Sequence, residues 1–157
     1  MDGNLRSTML KLLDGNRILT IATNRPDGWP QATIVGYAND AERIYVIVAR
    51  DGQKYANIAR DNRVSVAVGG DTPDPMAITG LSMAARATEV ADPTERARAV
   101  TLMLQRYPEY AAMAPTVMDT MVLLRIVPEV VSVLDYSKGF GHADLVRLEP
   151  CVSGRPA

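Results

Sequence analysis

Cysteine and histidine are nearly missing: the 157 residues contain Cys151 and His142 and no other of either kind. A single thiol cannot close an intrachain disulfide and leaves a thiolate metal cluster without a second sulfur. A single imidazole removes paired-histidine acid–base schemes and most remaining metal sites. Excess positive charge is missing too. Seventeen Lys and Arg stand against eighteen Asp and Glu, a formal net charge of -1, so the basic surplus that neutralises a phosphate backbone is lacking and no nucleic-acid partner is expected. No apolar run approaches the roughly 20 residues that cross a bilayer, and the opening stretch MDGNLRSTML has no basic segment leading into an apolar core. A cytoplasmic location with no membrane partner is expected. The Gly-x-Ser-x-Gly elbow, a Gly-x-Gly-x-x-Gly turn after a strand and the Gly-x-x-x-x-Gly-Lys phosphate cradle are all lacking. By subtraction, demanding chemistry falls to a bound cofactor rather than to side chains.

What is present suffices for a folded domain. Hydrophobic residues make up 47% and charged residues 22% of the chain, well outside the composition of disordered segments. The length suits one domain, taken as residues 1–148, with 149–157 as a flexible tail that has no apolar period. Leu5, Met9, Leu12 and Leu13 recur at helical spacing before the stop signal Asp14-Gly15-Asn16. Three strands follow, from Ile18 to Thr23, Gln31 to Tyr37 and Arg43 to Ala49, joined by turns at Pro26-Asp27-Gly28 and Asn39-Asp40. Tyr55, Ala56, Ile58 and Ala59 return to helical spacing, and Val64 to Val68 alternates as a fourth strand. Met76 to Val90 reads as a fifth strand, in which Gly80 invites a bulge or a close backbone approach. Asp92-Pro93-Thr94-Glu95 predicts a helix start, with Asp92 as N-cap and the helix running to about Arg106. A further short helical piece and a sixth strand from Met121 to Leu134 complete the pattern. Six of the eight methionines, Met76, Met83, Met103, Met113, Met118 and Met121, read as core or interface fillers. The fold class predicted is α+β, mainly β: a six-stranded antiparallel barrel with two or three flanking helices.

Three segments could carry chemistry. In Tyr45 to Lys54 a strand turns into a helix whose unpaired N–H groups, beside Arg50 and Lys54, suit a phosphate monoester. The plainer alternative is two solvated charges at a surface turn. Gln31 and Thr33, two apart on one strand face, could hydrogen-bond a planar heterocycle beside Trp29; alternatively, Trp29 plugs a barrel end or an interface. The stretch Leu134 to His142 gathers Tyr136, Lys138, Phe140 and His142 around two glycines, either completing a binding site or pinning the segment to a neighbouring subunit.

The order of Ile18 to Thr23, Arg25-Pro26-Asp27-Gly28-Trp29-Pro30, Tyr45 to Lys54 and Asn57 to Ser65 resembles the pyridoxamine 5'-phosphate oxidase-like, FMN-binding split-barrel superfamily. The stretch Leu134 to His142 also resembles small bacterial flavin-binding members. The resemblance implies a homodimer with two FMN molecules at the subunit interface and an FMN-dependent oxidoreductase acting on a small organic substrate with a nicotinamide donor. It implies Lys54 as the phosphate ligand with Gln53 and Arg50 as helpers. Gln31, Ala32, Thr33, Val48 and Ala49 become ring and ribityl contacts, and the partner is implied to contribute Gly80, Ser82, Tyr136 and Lys138. Gln53 stands where a second basic residue is the family habit, and the tail has neither the tryptophan nor the Arg-x-His pattern of vitamin B6 oxidation, so a generic flavin-dependent reductase is the expectation. Two alternatives stay open: a deazaflavin-dependent reductase of the same fold, and a non-catalytic flavin- or haem-binding protein with His142 as haem ligand.

Overall fold

A computed structural model describes residues 3–113 and 115–148; the predicted tail 149–157, with Cys151, lies outside the described residues. Helix α1 (Gly3–Gly15) precedes strands β1 (Ile18–Asn24), β2 (Pro30–Asp40) and β3 (Arg43–Ala49), then α2 (Gln53–Arg60), β4 (Arg63–Gly69), β5 (Thr79–Glu89), α3 (Pro93–Arg106), the short α4 (Pro115–Met118), β6 (Met121–Asp135) and β7 (Ala143–Arg147). The strands are antiparallel in the order β3-β2-β1-β4-β5-β6-β7, and an additional β3–β6 pairing closes the first six into a barrel. The predicted six-stranded barrel is therefore present, with a seventh strand added and, among the described residues, four α-helices where two or three were expected. Strand β7 has only Val146 buried, so it leaves no apolar alternation for the sequence to reveal.

Hydrophobic alternation builds the barrel wall. Leu19 and Ile21, Val64, Val66 and Val68, and Leu81, Met83, Ala85 and Ala87 point inward from β1, β4 and β5, while their neighbours face out, as the two-residue period of a strand requires. Met9 and Leu13 of α1 and Ile58 of α2 join that core. Tyr37 is wholly buried in it, and its hydroxyl donates to the Leu13 carbonyl at 2.7 Å; burial pushes that phenol up to about 12. Methionine filling holds for Met83 and Met103, whereas Met76 is 45% exposed. Met76 lies in a turn of 3-10 helix over Pro75–Ala77, so β5 begins at Thr79 rather than at Met76. The Asp74 carboxylate accepts from the Met76 N–H and stabilises that turn in place of strand.

Two strand features have simple causes. Gly69 and Gly80 oppose one another on β4 and β5, and a Cβ on Gly80 would meet the Val68 carbonyl oxygen at 2.7 Å, so the expected close backbone approach is present. The bulge lies elsewhere: Ala84 pairs with Val130 and Ala85 with Pro128, leaving Glu129 as the extra residue. Pro128 has no N–H to give a ladder, and it falls where β6 exchanges β3, paired through Ile126, for β7, paired from Val130. The predicted start of α3 is present as well, with the Asp92 carboxylate accepting from the Glu95 N–H at 2.7 Å.

Candidate functional site

The barrel wall is open between β2 and β3. Strand β2 pairs with β1 from Pro30 to Gly36, but with β3 only from Tyr37 to Asp40. Beyond Tyr37 the two strands part, so the edges of residues 31–35 and 47–49 face one another without a ladder, while β3 spends its other edge on β6. Unpaired edge N–H and C=O groups demand partners. Helix α2 begins four residues after β3 and packs on β1, β3 and β5 at this end of the barrel. Its N-cap residue, Gly52, provides no side-chain hydrogen bond, so the first-turn N–H groups and their partial positive charge are left uncapped.

Polar side chains converge there. Asn57, wholly buried on α2, donates from Nδ2 to the Thr23 hydroxyl at 2.9 Å and to Gln31 Oε1 at 3.3 Å. Its Oδ1 accepts from Gln53 Nε2 at 2.8 Å. Thr33 is on the same β2 face as Gln31, and its hydroxyl oxygen is buried without a hydrogen-bond partner. Lys54 is partly buried and makes no hydrogen bond or ion pair among the described residues; burial pushes its ammonium below the usual lysine value. A desolvated cation without a counter-charge and a buried hydroxyl without a partner are both costly.

The other predicted residues divide. Arg50 donates to Glu89 at 2.9 Å and lies over the Tyr55 ring, whose hydroxyl donates to the same carboxylate at 2.7 Å, so its guanidinium is committed to a protein anion. Together Arg50 and Tyr55 hold the Glu89 carboxyl below its ordinary value. Val48 belongs to the barrel core, whereas Ala32 and Ala49 are exposed, Ala32 on the outer face. Gly80, Ser82, Tyr136 and Lys138 are not gathered with Lys54 in one chain. Glu89 stands beside α2, and Gly80 is nine residues earlier on β5, about 30 Å away at the strand rise. At that far end Lys138 and His142 share the Asp144 carboxylate, each at 3.1 Å, and Tyr136 meets Phe140 edge to face. Trp29, read as a plug or an interface residue, is 73% exposed at the β1–β2 turn. Thr23 and Asn57 were missed as site residues. Asn57 lies one helical turn after Gln53, and that i,i+4 amide pair was the signal available.

The outer face beside the seam is nearly free of charge. Across β2, β1, β4, β5, β6 and β7 the register aligns Ile34, Thr20, Ala67, Ser82, Ser132 and Leu145 in one row, with Ala32, Ala22, Ser65, Ala84, Val130 and, at the β7 edge, Arg147 in the next. Ile34 and Leu145 are 68% and 62% exposed. A groove of about 410 Å³ runs over this face between Ile18, Ile34, Thr79 and Leu134.

The sequence profile described as pyridoxamine 5'-phosphate oxidase matches residues 5–135. Among curated proteins, no sequence matches. Solved structures share the fold. A conserved hypothetical protein of Mycobacterium tuberculosis is 27% identical, with 96% of this chain and 93% of that one covered at a TM-score of 0.71. A haem-binding protein of Mycobacterium smegmatis is 19% identical with a TM-score of 0.78, covering 90% of this chain but 57% of its own, so this chain spans little more than half that relative's length. HutZ, the haem storage protein of Vibrio cholerae, is 18% identical, with 76% and 86% covered and a TM-score of 0.63. The barrel topology, the seam and the matched profile place this chain in the pyridoxamine 5'-phosphate oxidase family.

Proposed function

We propose that this protein is an FMN-dependent oxidoreductase that binds the flavin in the β2–β3 seam, with its phosphate at the start of α2. One observation carries the reading: the partly buried Lys54 ammonium has no counter-charge among the described residues and stands in the first turn of an uncapped helix. A phosphate dianion supplies that charge and accepts from the helix N–H groups. Thr33, with its unpartnered hydroxyl, and Gln31 line the same inner side of β2, suiting a ligand with hydrogen-bonding edges. When bound, FMN supplies reversible electron transfer to a small organic substrate, which the scarce acid–base side chains of this chain do not. The chain's own part is to hold the phosphate, exclude water and orient the ring.

The charge-poor outer face suits a second copy of the chain, since an isologous interface pairs one surface with itself. In that homodimer the partner would bring the residues about Gly80, Ser82, Tyr136 and Lys138 that lie too far from Lys54 within one chain.

An absorbance spectrum of the purified protein and a titration of FMN fluorescence test the reading. Saturable quenching is expected, and Lys54→Ala is expected to weaken binding by about 1.5–3 kcal/mol. An unchanged affinity at low salt would remove Lys54 as the phosphate ligand. A deazaflavin competes for the same seam, and parallel titration ranks the two. Haem is the second reading, favoured by the haem-binding and haem storage proteins that share the fold. Against it, the sole histidine is engaged by Asp144 on the β6–β7 connection and lies outside the seam of its own chain, so only the partner could present it there. A Soret band on adding haemin, lost in His142→Ala, would reverse that preference.

A further inference from the structure

We propose that Asn57 is a positioning residue that fixes which hydrogen-bonding face Gln31 turns to the seam, making Gln31 a donor to the bound group; this rests on the cofactor reading above. Asn57 is 0% exposed. An apolar residue would pack a buried helix position without the cost of desolvating an amide, so the amide needs a reason to be there. Its three hydrogen bonds supply one. Asn57 Nδ2 donates to Gln31 Oε1 and to the Thr23 hydroxyl, and Asn57 Oδ1 accepts from Gln53 Nε2.

Each bond consumes one end of a neighbouring amide and leaves the other. Gln31 has its oxygen held, so its Nε2 hydrogens are released and find no partner among the described residues. Gln53 has its nitrogen held, so its oxygen is released. The two glutamines therefore offer opposite polarity, Gln31 as donor and Gln53 as acceptor. Turning Asn57 over would set its oxygen against Gln31 Oε1 and its nitrogen against Gln53 Nε2, so all three amides would have to turn together. A ligand carbonyl or phosphate oxygen matches Gln31, and a ligand hydroxyl or N–H matches Gln53. Asn57 touches neither ligand edge and acts through both residues.

The test is FMN fluorescence titration of the full chain with thermal unfolding measured in parallel, on the wild type, Asn57→Leu, Gln31→Met and Gln31→Glu. Asn57→Leu keeps the branched shape, though not the volume, and frees both glutamines to rotate; FMN affinity is expected to fall about tenfold. Should Asn57→Leu fail to fold, the Gln31 variants decide. Gln31→Glu retains an oxygen for Asn57 Nδ2, so its unfolding midpoint should stay near that of the wild type while its ligand-facing donors are gone. Gln31→Met removes the donors without adding charge and separates donor loss from repulsion of the phosphate. Both are expected to bind FMN about tenfold more weakly, with a shift in the visible flavin bands that a purely structural role would not produce. A folded Asn57→Leu or a Gln31→Met that binds within twofold of the wild type, with unshifted bands, overturns the proposal and leaves the cofactor reading standing. A wild type that does not quench FMN overturns the cofactor reading and this proposal with it.

Discussion

The barrel has two outer faces that treat polarity in opposite ways. One lies under α3, where Ala99 and Met103 pack against Ala38, Tyr45, Ile47 and Leu123 of the wall. Charge is admitted there and paired: Glu95 accepts from the Tyr45 hydroxyl and from Arg125, each at 2.9 Å, and Arg98 grips Asp40 through two bonds of 2.6 and 2.7 Å. The other face, spread over β2, β1, β4, β5, β6 and β7, carries uncharged residues through its two central rows until Arg147 ends the second at β7, and meets further charge toward the rim at Arg63, Arg86 and Glu129. A face covered by its own chain can use charges because the partners arrive with it. A face meant for water ordinarily carries Lys and Glu. Neither description fits the small-residue face, which has the composition of a surface to be covered by a copy of itself, with charge depleted at the centre and kept at the rim.

The strongest way to break that contrast is to put a charge in the middle of the open face. Ala67 faces out of β4 between Thr20 and Ser82, and in the proposed homodimer Ala67→Arg would bury two guanidinium groups without partners. The expected outcome in sedimentation is a fall from twice the 17.0 kDa chain mass to the single chain, with little change in the unfolding midpoint of the monomer and loss of FMN binding. A variant that keeps the doubled mass would place the interface elsewhere.

On the covered face the same logic predicts a stability effect rather than an assembly effect. Glu95→Ala leaves Arg125 and the Tyr45 hydroxyl without their acceptor, in a network whose Arg125 Nε already lacks a partner. Because the Arg125 side chain is 34% exposed, the cost is set near the lower end for broken buried pairs, about 2 kcal/mol, readable as a lower urea midpoint. Ser82→Ala on the open face should cost under about 0.5 kcal/mol in the same assay.

The two faces also differ in how far the sequence discloses them. Inward alternation in Val64 to Val68 and the Asp92 cap with Pro93 are local signals, and both elements appear where those signals place them. The additional strand β7 and the bulge at Glu129 depend on which strand lies beside β6, which no local period encodes. Within the candidate site, Lys54 is readable because helix starts have recognisable chemistry, whereas Gln53 enters only through the family resemblance. The seam is not readable, since it exists only where β2 and β3 stop pairing. Arg50 and Lys54 both place a cation beside the start of α2, with Lys54 the expected ligand and Arg50 its helper, and only the long-range approach of Glu89 separates a committed cation from an unpartnered one.

The smallest expected difference between the faces is in acid. Hydrogen bonds from Arg98, which fasten α3 to β2, hold the Asp40 carboxyl below its ordinary value of 3.8. A carboxyl depressed in the folded state binds its proton more readily when unfolded, so its contribution is present above pH 3.8 and is lost as pH falls through the lower folded value. Arg98 is 62% exposed, so solvent and salt screen the pair and the effect is small. Asp40→Asn should therefore unfold slightly earlier than the wild type at about pH 6, with the gap shrinking as the pH falls below 3.8 and narrowing in high salt. A gap that persists unchanged into acid would make the Asp40–Arg98 contact a matter of shape and hydrogen bonding rather than charge. Ser82→Ala supplies the control: with no carboxylate or histidine in the central rows of the open face, its midpoint should follow the wild type across the same range.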